Sequence, residues 1–148
     1  MKDSIWSFYD AQGKLEQKYD YTNKKLLYQE DYTNGKPKKS LVVEGSDTIK
    51  AILDQNPVYV GGKTELHKAL NEYLLHHKIR CDTNGFVYIM FTIGLNGKAL
   101  NYKIVGQAHC LNMIILDAFK KIPNEWVPGV LNGEKVNVSI YQRFDFDL

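Results

Sequence analysis

Apolar positions recur along this chain at two periods, and each period predicts a different element. From Thr64 they fall at Leu66, Ala69, Leu70, Tyr73 and Leu74; from Asn112 they fall at Ile114, Ile115, Ala118, Phe119 and Ile122, stopped by Pro123. Steps of three and four place each set on one side of a helix. Burying the second set contributes roughly 1.5–3 kcal/mol gross for each large side chain, so both read as core helices. Steps of two govern three other segments. Residues 85–94 put Val87, Ile89, Phe91 and Ile93 on one face. An Asn96-Gly97 turn then returns the chain through Leu100, Tyr102 and Ile104 as a hairpin. The last segment alternates Val136, Val138, Ile140, Phe144 and Phe146 with Asn137, Ser139, Arg143, Asp145 and Asp147. One face is dry and the other wet, as in an antiparallel sheet covered on one side. The expectation is an α+β fold: a two-layer domain with a three-stranded antiparallel sheet packed by two helices on one face, in the order α-β-β-α-β.

The first third differs. Trp6 and Phe8, Tyr19 and Tyr21, and Leu26 and Tyr28 are short period-two bursts broken by Gln12-Gly13 and Asn34-Gly35. A loose repeat underlies them: Tyr9-Asp10-Ala11-Gln12-Gly13-Lys14-Leu15, then Tyr21-Thr22-Asn23-Lys24-Lys25-Leu26, then Tyr32-Thr33-Asn34-Gly35-Lys36-Pro37. Its spacing suits one strand and one turn. The repeat resembles the β-hairpin repeats of MORN-type proteins. Lys36-Pro37-Lys38-Lys39-Ser40 reads as a loop, and Ser46 as the N-cap of a short helix carrying Ile49, Ile52 and Leu53. The expected organisation is a β-hairpin segment over residues 1–43, a linker with a short helix over 44–56, and a second domain over 57–148.

Composition narrows the functional classes. The 148 residues carry 19 basic and 17 acidic side chains, a net charge of +2. The first forty hold eight lysines and six acids, and the rest is balanced at eleven each, so no dense basic face for nucleic acid is expected. No apolar run reaches 18 residues. The start, Met1-Lys2-Asp3-Ser4-Ile5-Trp6, has no apolar signal core. Either the protein is cytoplasmic, or an export segment or anchor lies upstream of this sequence.

No catalytic constellation converges. His67 and His76 lie nine apart, not at a spacing that presents two ligands together, and His76, His77 and Lys78 read as the cationic last turn of a helix. There is no nucleophile elbow or phosphate loop. The expectation is a protein that is not an enzyme and holds no metal or other cofactor. Cys81 and Cys110 fall nearly opposite one another if the hairpin ladder runs on past its open end. Two readings stand: a disulfide, which in an oxidising envelope would close a loop of about 30 residues and add about 3 kcal/mol, or two buried thiols.

Several segments together resemble the TonB C-terminal domain family. Pro57-Val58-Tyr59-Val60-Gly61-Gly62 leading into Leu66, Ala69, Leu70, Tyr73 and Leu74 resembles that family's entry and first helix. Phe91-Thr92-Ile93-Gly94-Leu95-Asn96-Gly97-Lys98 is similar to its strand, turn and return strand. Met113 to Gly129, closing on Pro123-Asn124-Glu125-Trp126-Val127-Pro128-Gly129, resembles its second helix and exit. Asn132-Gly133-Glu134-Lys135-Val136-Asn137-Val138 resembles the approach to its last strand. The match covers roughly residues 55–146. The resemblance implies a periplasmic or cell-envelope domain that docks the TonB box of an outer-membrane transporter by strand addition, and transduces energy when an upstream segment anchors it. The docking strand so implied is Val136, Asn137, Val138, Ser139, Ile140, Tyr141 and Gln142, taken as a sheet edge. The alternative is a stand-alone envelope scaffold, or a homodimer whose partner copy covers that edge.

Overall fold

The computed structural model describes residues 2–76, 85–106 and 109–146. Strands β1 (Ile5–Tyr9), β2 (Leu15–Asp20) and β3 (Lys25–Gln29) form an antiparallel three-stranded sheet. Its turns explain the weak repeat. Asp10 Oδ1 accepts from the amides of Gln12 and Lys14, Asp20 Oδ1 from Thr22 and Asn23, and Asp31 Oδ1 from Thr33. Each repeat is thus a tyrosine-containing strand followed by a turn that an aspartate closes onto its own backbone.

The chain continues through β4 (Ser40–Glu44), β5 (Asp47–Ala51), β6 (Val58–Tyr59), α1 (Gly62–His76), β7 (Gly85–Ile93), β8 (Ala99–Gly106), α2 (His109–Lys121), β9 (Trp126–Val127), β10 (Gly129–Leu131) and β11 (Glu134–Phe146). Strands β7, β8 and β11 and the two helices stand where periodicity puts them, yet the expected architecture is overturned. The described residues form eleven strands in three sheets, and the largest sheet has six strands rather than three, in the order β5-β4-β11-β7-β8 with β10 also on β11.

Two corrections follow from the hairpin of β4 and β5. The helix expected after Ser46 is a strand: Val42 pairs with Ile49 and Val43 with Thr48 across a turn at Gly45, whose φ is +61°. A helix of one or two turns costs more to nucleate than its few hydrogen bonds return. Val42, Val43, Thr48 and Ile49 are instead β-branched residues that suit a ladder. The boundary drawn at 43/44 therefore cuts through a hairpin, and residues 40–51 belong to the sheet of the C-terminal region.

Both helices pack on one face of β7, β8 and β11. Val87, Ile89, Phe91 and Ile93 are fully buried there with Leu66, Leu70, Ile115 and Ala118. Phe91 is the hub, its ring 5.2 Å from Trp126, 5.7 Å from Phe119 and 5.8 Å from Tyr102. A second cluster of Val42, Leu53 and Val138 fastens β4 to β11.

The N-terminal sheet is joined by polar side chains. Gln17, fully buried, donates from Nε2 to Gln29 Oε1 and to the Tyr59 carbonyl, and its Oε1 accepts from the Gly61 amide at 2.6 Å. The neighbouring Glu16 carboxylate accepts from the amide and the hydroxyl of Thr64, capping α1 from outside its own segment. Gly62 has φ +86°, and a Cβ there would lie 2.2 Å from Glu16 Oε2, so only glycine admits the carboxylate.

Candidate functional site

Three of the segments that carry the family resemblance meet in space. β6 pairs with β9, setting Val58 opposite Val127 and Tyr59 opposite Trp126. The Tyr59 and Trp126 rings meet edge-on at 5.2 Å, and the Tyr59 hydroxyl donates to the Pro123 carbonyl at 2.7 Å. Asn124 brackets Ala99: its Oδ1 accepts from the Ala99 amide and its Nδ2 donates to the Ala99 carbonyl. The Trp126 amide donates to the Gly97 carbonyl at 2.9 Å. Entry, turn and exit segments thereby become one rigid wall beside β11.

The expected docking strand divides into two parts. Val136 pairs with Gly129 of β10. Asn137, Val138 and Ser139 pair with Val43, Val42 and Leu41 of β4, while Val138 and Ser139 pair on their other side with Ile93 and Thr92 of β7. Val136–Ser139 is therefore not a bare margin, because the chain's own β4 and β10 fill it. Ile140, Tyr141 and Gln142 differ. They pair with Phe91, Met90 and Ile89, and from Ile140 to Phe146 the ladder runs to β7 alone among the described residues. β4 begins at Ser40, level with the point where this lane opens.

A cleft of about 480 Å³ lies at that point. Its apolar wall includes Leu66 and Tyr59, which are nearly fully buried, with Pro57, Val58 and Trp126. Its rim holds Tyr32, Lys39, Ser40 and Lys63; none of the described residues lining it is acidic, and the Glu16 carboxylate lies next to it at the Tyr32 hydroxyl. Lys63 Nζ sits 4.3 Å from the centre of the Tyr32 ring, a cation held over an aromatic face. Burial pushes the Tyr32 phenol up to about 12, with the Lys63 amide at its oxygen acting the other way, so it is neutral at physiological pH. The Ser40 hydroxyl donates to Asn56 Oδ1 at 3.0 Å. Such a cleft can seat an apolar side chain against its wall and an anionic group at its rim.

On the opposite face of the sheet Tyr141 stacks on Tyr88 at 5.1 Å, and the Arg143 guanidinium lies 4.0 Å from the Phe86 ring while pairing with Asp145. On the helix side the His67 ring packs 5.3 Å from Phe144. Burial, with Lys63 second, lowers the His67 pKa below the ordinary imidazole value. Among the described residues no three of His, Cys, Asp and Glu gather as a metal site requires, and no helix is long and apolar enough to cross a membrane.

The cysteine pairing rested on a ladder continuing past the hairpin. Cys81 lies outside the described residues, as does His77, and Cys110 falls in the first turn of α2, beyond the end of β8 at Gly106. The alternation of the last strand picked out β11 but gave no sign of the cleft beside it. Tyr32, Lys39 and Lys63 come from a turn, a loop and a helix start, and no spacing links them. Lys36-Pro37-Lys38-Lys39, read in the sequence as a loop, brings positive charge to the start of β4. No protein-family model matches this chain, and no curated protein and no solved structure matches it.

Proposed function

We propose that this protein is a binding domain, not an enzyme, that takes an extended peptide by strand addition along Ile140–Arg143 of β11. The ladder there carries the reading: Ile140, Tyr141, Gln142 and Arg143 pair with β7 and with no second strand among the described residues. Backbone groups in that state are a template for a guest strand. Magnitudes say what else is needed. Three or four ladder hydrogen bonds at about 1 kcal/mol net each fall short of an association cost of at least about 4 kcal/mol. Side chains of the guest must therefore find apolar surface, and the wall of Leu66, Tyr59 and Trp126 lies within reach of the strand's core-facing side.

The TonB-like resemblance supplies the first peptide to try, the TonB box of an outer-membrane transporter, and with it a setting in the periplasm or cell envelope. Energy transduction belongs to this proposal only with an anchor upstream, since an untethered domain transmits no force. The test is a titration of the isotopically labelled full chain with an extended peptide of that type, followed by backbone NMR. Amide shifts should concentrate at Ile140–Arg143 and spare Asn137–Ser139. Saturating peptide that leaves Ile140–Arg143 unmoved overturns the reading.

A further inference from the structure

A second cleft, of about 620 Å³, lies between the N-terminal sheet and the turn that joins β7 to β8. Of the described residues, Trp126 alone borders both this cleft and the one beside β11. One side is built by Tyr19 of β2 and by Tyr21 just after it; the other is built by Trp126 and the Asn96–Lys98 turn. That turn is held in place, since the Gly97 carbonyl accepts from the Trp126 amide and Asn96 Oδ1 accepts from the Lys98 amide. The volume lies within the range of small-molecule sites.

Charge narrows what could fill it. Lys2, Lys24 and Lys98 border the cleft with one acid, Glu125, so three ammonium groups against one carboxylate leave a surplus of two positive charges. None of the four is neutralised by another: the ion pairs among the described residues are Lys14 with Glu30 and Arg143 with Asp145. Lys2 Nζ lies 4.7 Å from the centre of the Trp6 ring and 5.3 Å from that of Tyr21, and Lys98 Nζ donates to the Asn124 carbonyl at 2.9 Å. Neutral groups place these two cations and leave their charge uncompensated.

Hydrogen-bonding chemistry narrows it further. Burial first, and the Glu125 charge second, push the Tyr21 phenol up to about 12 and raise that of Tyr19 in the same way, so both keep their O–H. The Glu125 carboxylate can only accept, while the phenols and ammonium groups can donate. A fitting ligand therefore carries an anion for the surplus cations, hydroxyl donors for Glu125, and a ring with apolar faces for Tyr21 and Trp126. An inorganic anion has the first of these alone, and an aromatic anion lacks the donors. A phosphorylated monosaccharide has all three, and a phosphate monoester brings a charge of about −1.5 to −2 against the surplus.

From these observations we infer that this cleft binds a phosphorylated sugar, with the phosphate drawn by the lysine surplus, ring hydroxyls donating to Glu125, and a ring face against the aromatic walls. The inference concerns a site separate from the open lane of β11 and does not depend on strand addition.

The test is a backbone NMR titration of the isotopically labelled full chain at low salt with glucose 6-phosphate, glucose and inorganic phosphate. The sugar phosphate should shift amides of Tyr21–Lys24 and of Asn96–Lys98 together. It should bind at least about tenfold more tightly than either glucose or inorganic phosphate, because charge and ring contacts both contribute. Lys24, Lys98 and Glu125 are exposed, so their variants probe the cleft without disturbing the core. Lys24→Gln/Lys98→Gln should weaken the sugar phosphate at least about fivefold and leave glucose unchanged, and Lys24→Arg/Lys98→Arg should retain binding. Glu125→Gln should narrow the advantage of the sugar phosphate over inorganic phosphate. Equal affinity for the sugar phosphate and inorganic phosphate overturns the inference, leaving an unselective anion surface. Equal affinity for the sugar phosphate and glucose overturns it by removing the role of charge. Millimolar sugar phosphate that shifts neither segment, or only one of them, overturns the cleft as its site.

Discussion

The two halves of β11 have the same alternation and opposite surroundings. Over Glu134–Ser139 the strand pairs with β10 and then with β4, Val138 and Ser139 are flanked on both sides by β4 and β7, and Val138 is almost wholly buried. From Ile140 onward the dry face still turns inward, with Phe144 as buried as Val138, but among the described residues the strand pairs with β7 alone. Burial of side chains and pairing of backbone are therefore separate variables. The first follows from which face of the sheet a residue is on; the second follows from what lies beside the strand. A binding margin is a place where the first is satisfied and the second is not.

The contrast is broken most severely by a charge. Val138→Asp sets a carboxylate between β4, β7 and the apolar cluster of Val42 and Leu53, and should cost about 3–5 kcal/mol or prevent folding, as uncompensated buried charges do. Tyr141→Asp, three residues on and exposed, should change stability by less than about 1 kcal/mol. Denaturant unfolding of the two variants measures the difference, and equal losses would mean that both halves are equally enclosed.

A smaller effect is expected where the N-terminal sheet meets the wall of the cleft. Gln17→Leu leaves the Tyr59 carbonyl and the Gly61 amide without their buried partner, a loss of about 1–3 kcal/mol. Because Tyr59 lines the cleft, peptide affinity should fall in the same variant, and wild-type affinity would separate the cleft from this joint.

Hydrogen exchange sharpens the comparison without a mutation. Amides of Asn137–Ser139 should exchange slowly throughout. Between Ile140 and Arg143 every second amide points away from β7 and should exchange faster, then slow when peptide is added. Uniform protection along β11 in the free protein would remove the open lane.

The smallest expected effect is one of pH. Burial first and Lys63 second hold the His67 pKa below its ordinary value, although the side chain keeps an exposed edge. As pH falls through about 6.5 the unfolded chain takes up this proton before the folded one, so stability declines towards acid. His67→Gln should flatten that part of the stability profile slightly. An NMR titration placing the folded-state pKa above the ordinary value would reverse the sign.

Particular elements show what was legible. The helices at Leu66–Leu74 and Ile114–Ile122, the Asn96-Gly97 hairpin and the inward set Val87, Ile89, Phe91 and Ile93 were readable because a period of 3.6 or 2 is imposed by local backbone geometry. The β4–β5 hairpin was misread because Ile49, Ile52 and Leu53 also satisfy helical spacing over a window too short to discriminate. Pairing between Gln17 and Gly61, or between Val42 and Val138, joins residues far apart in the chain and leaves no periodic trace.

By itself the sequence determined the two helices and the strands β7, β8 and β11, where they turn and which side of each is apolar, since those properties depend on neighbours a few residues away. Only the tertiary structure decided how many strands share the main sheet, that β4 stops beside Ser139, and that Lys39 and Lys63 border one cleft. The physical reason is that a strand's lateral hydrogen-bonding groups are the same for every residue, so no side-chain code marks which neighbour, if any, will fill them.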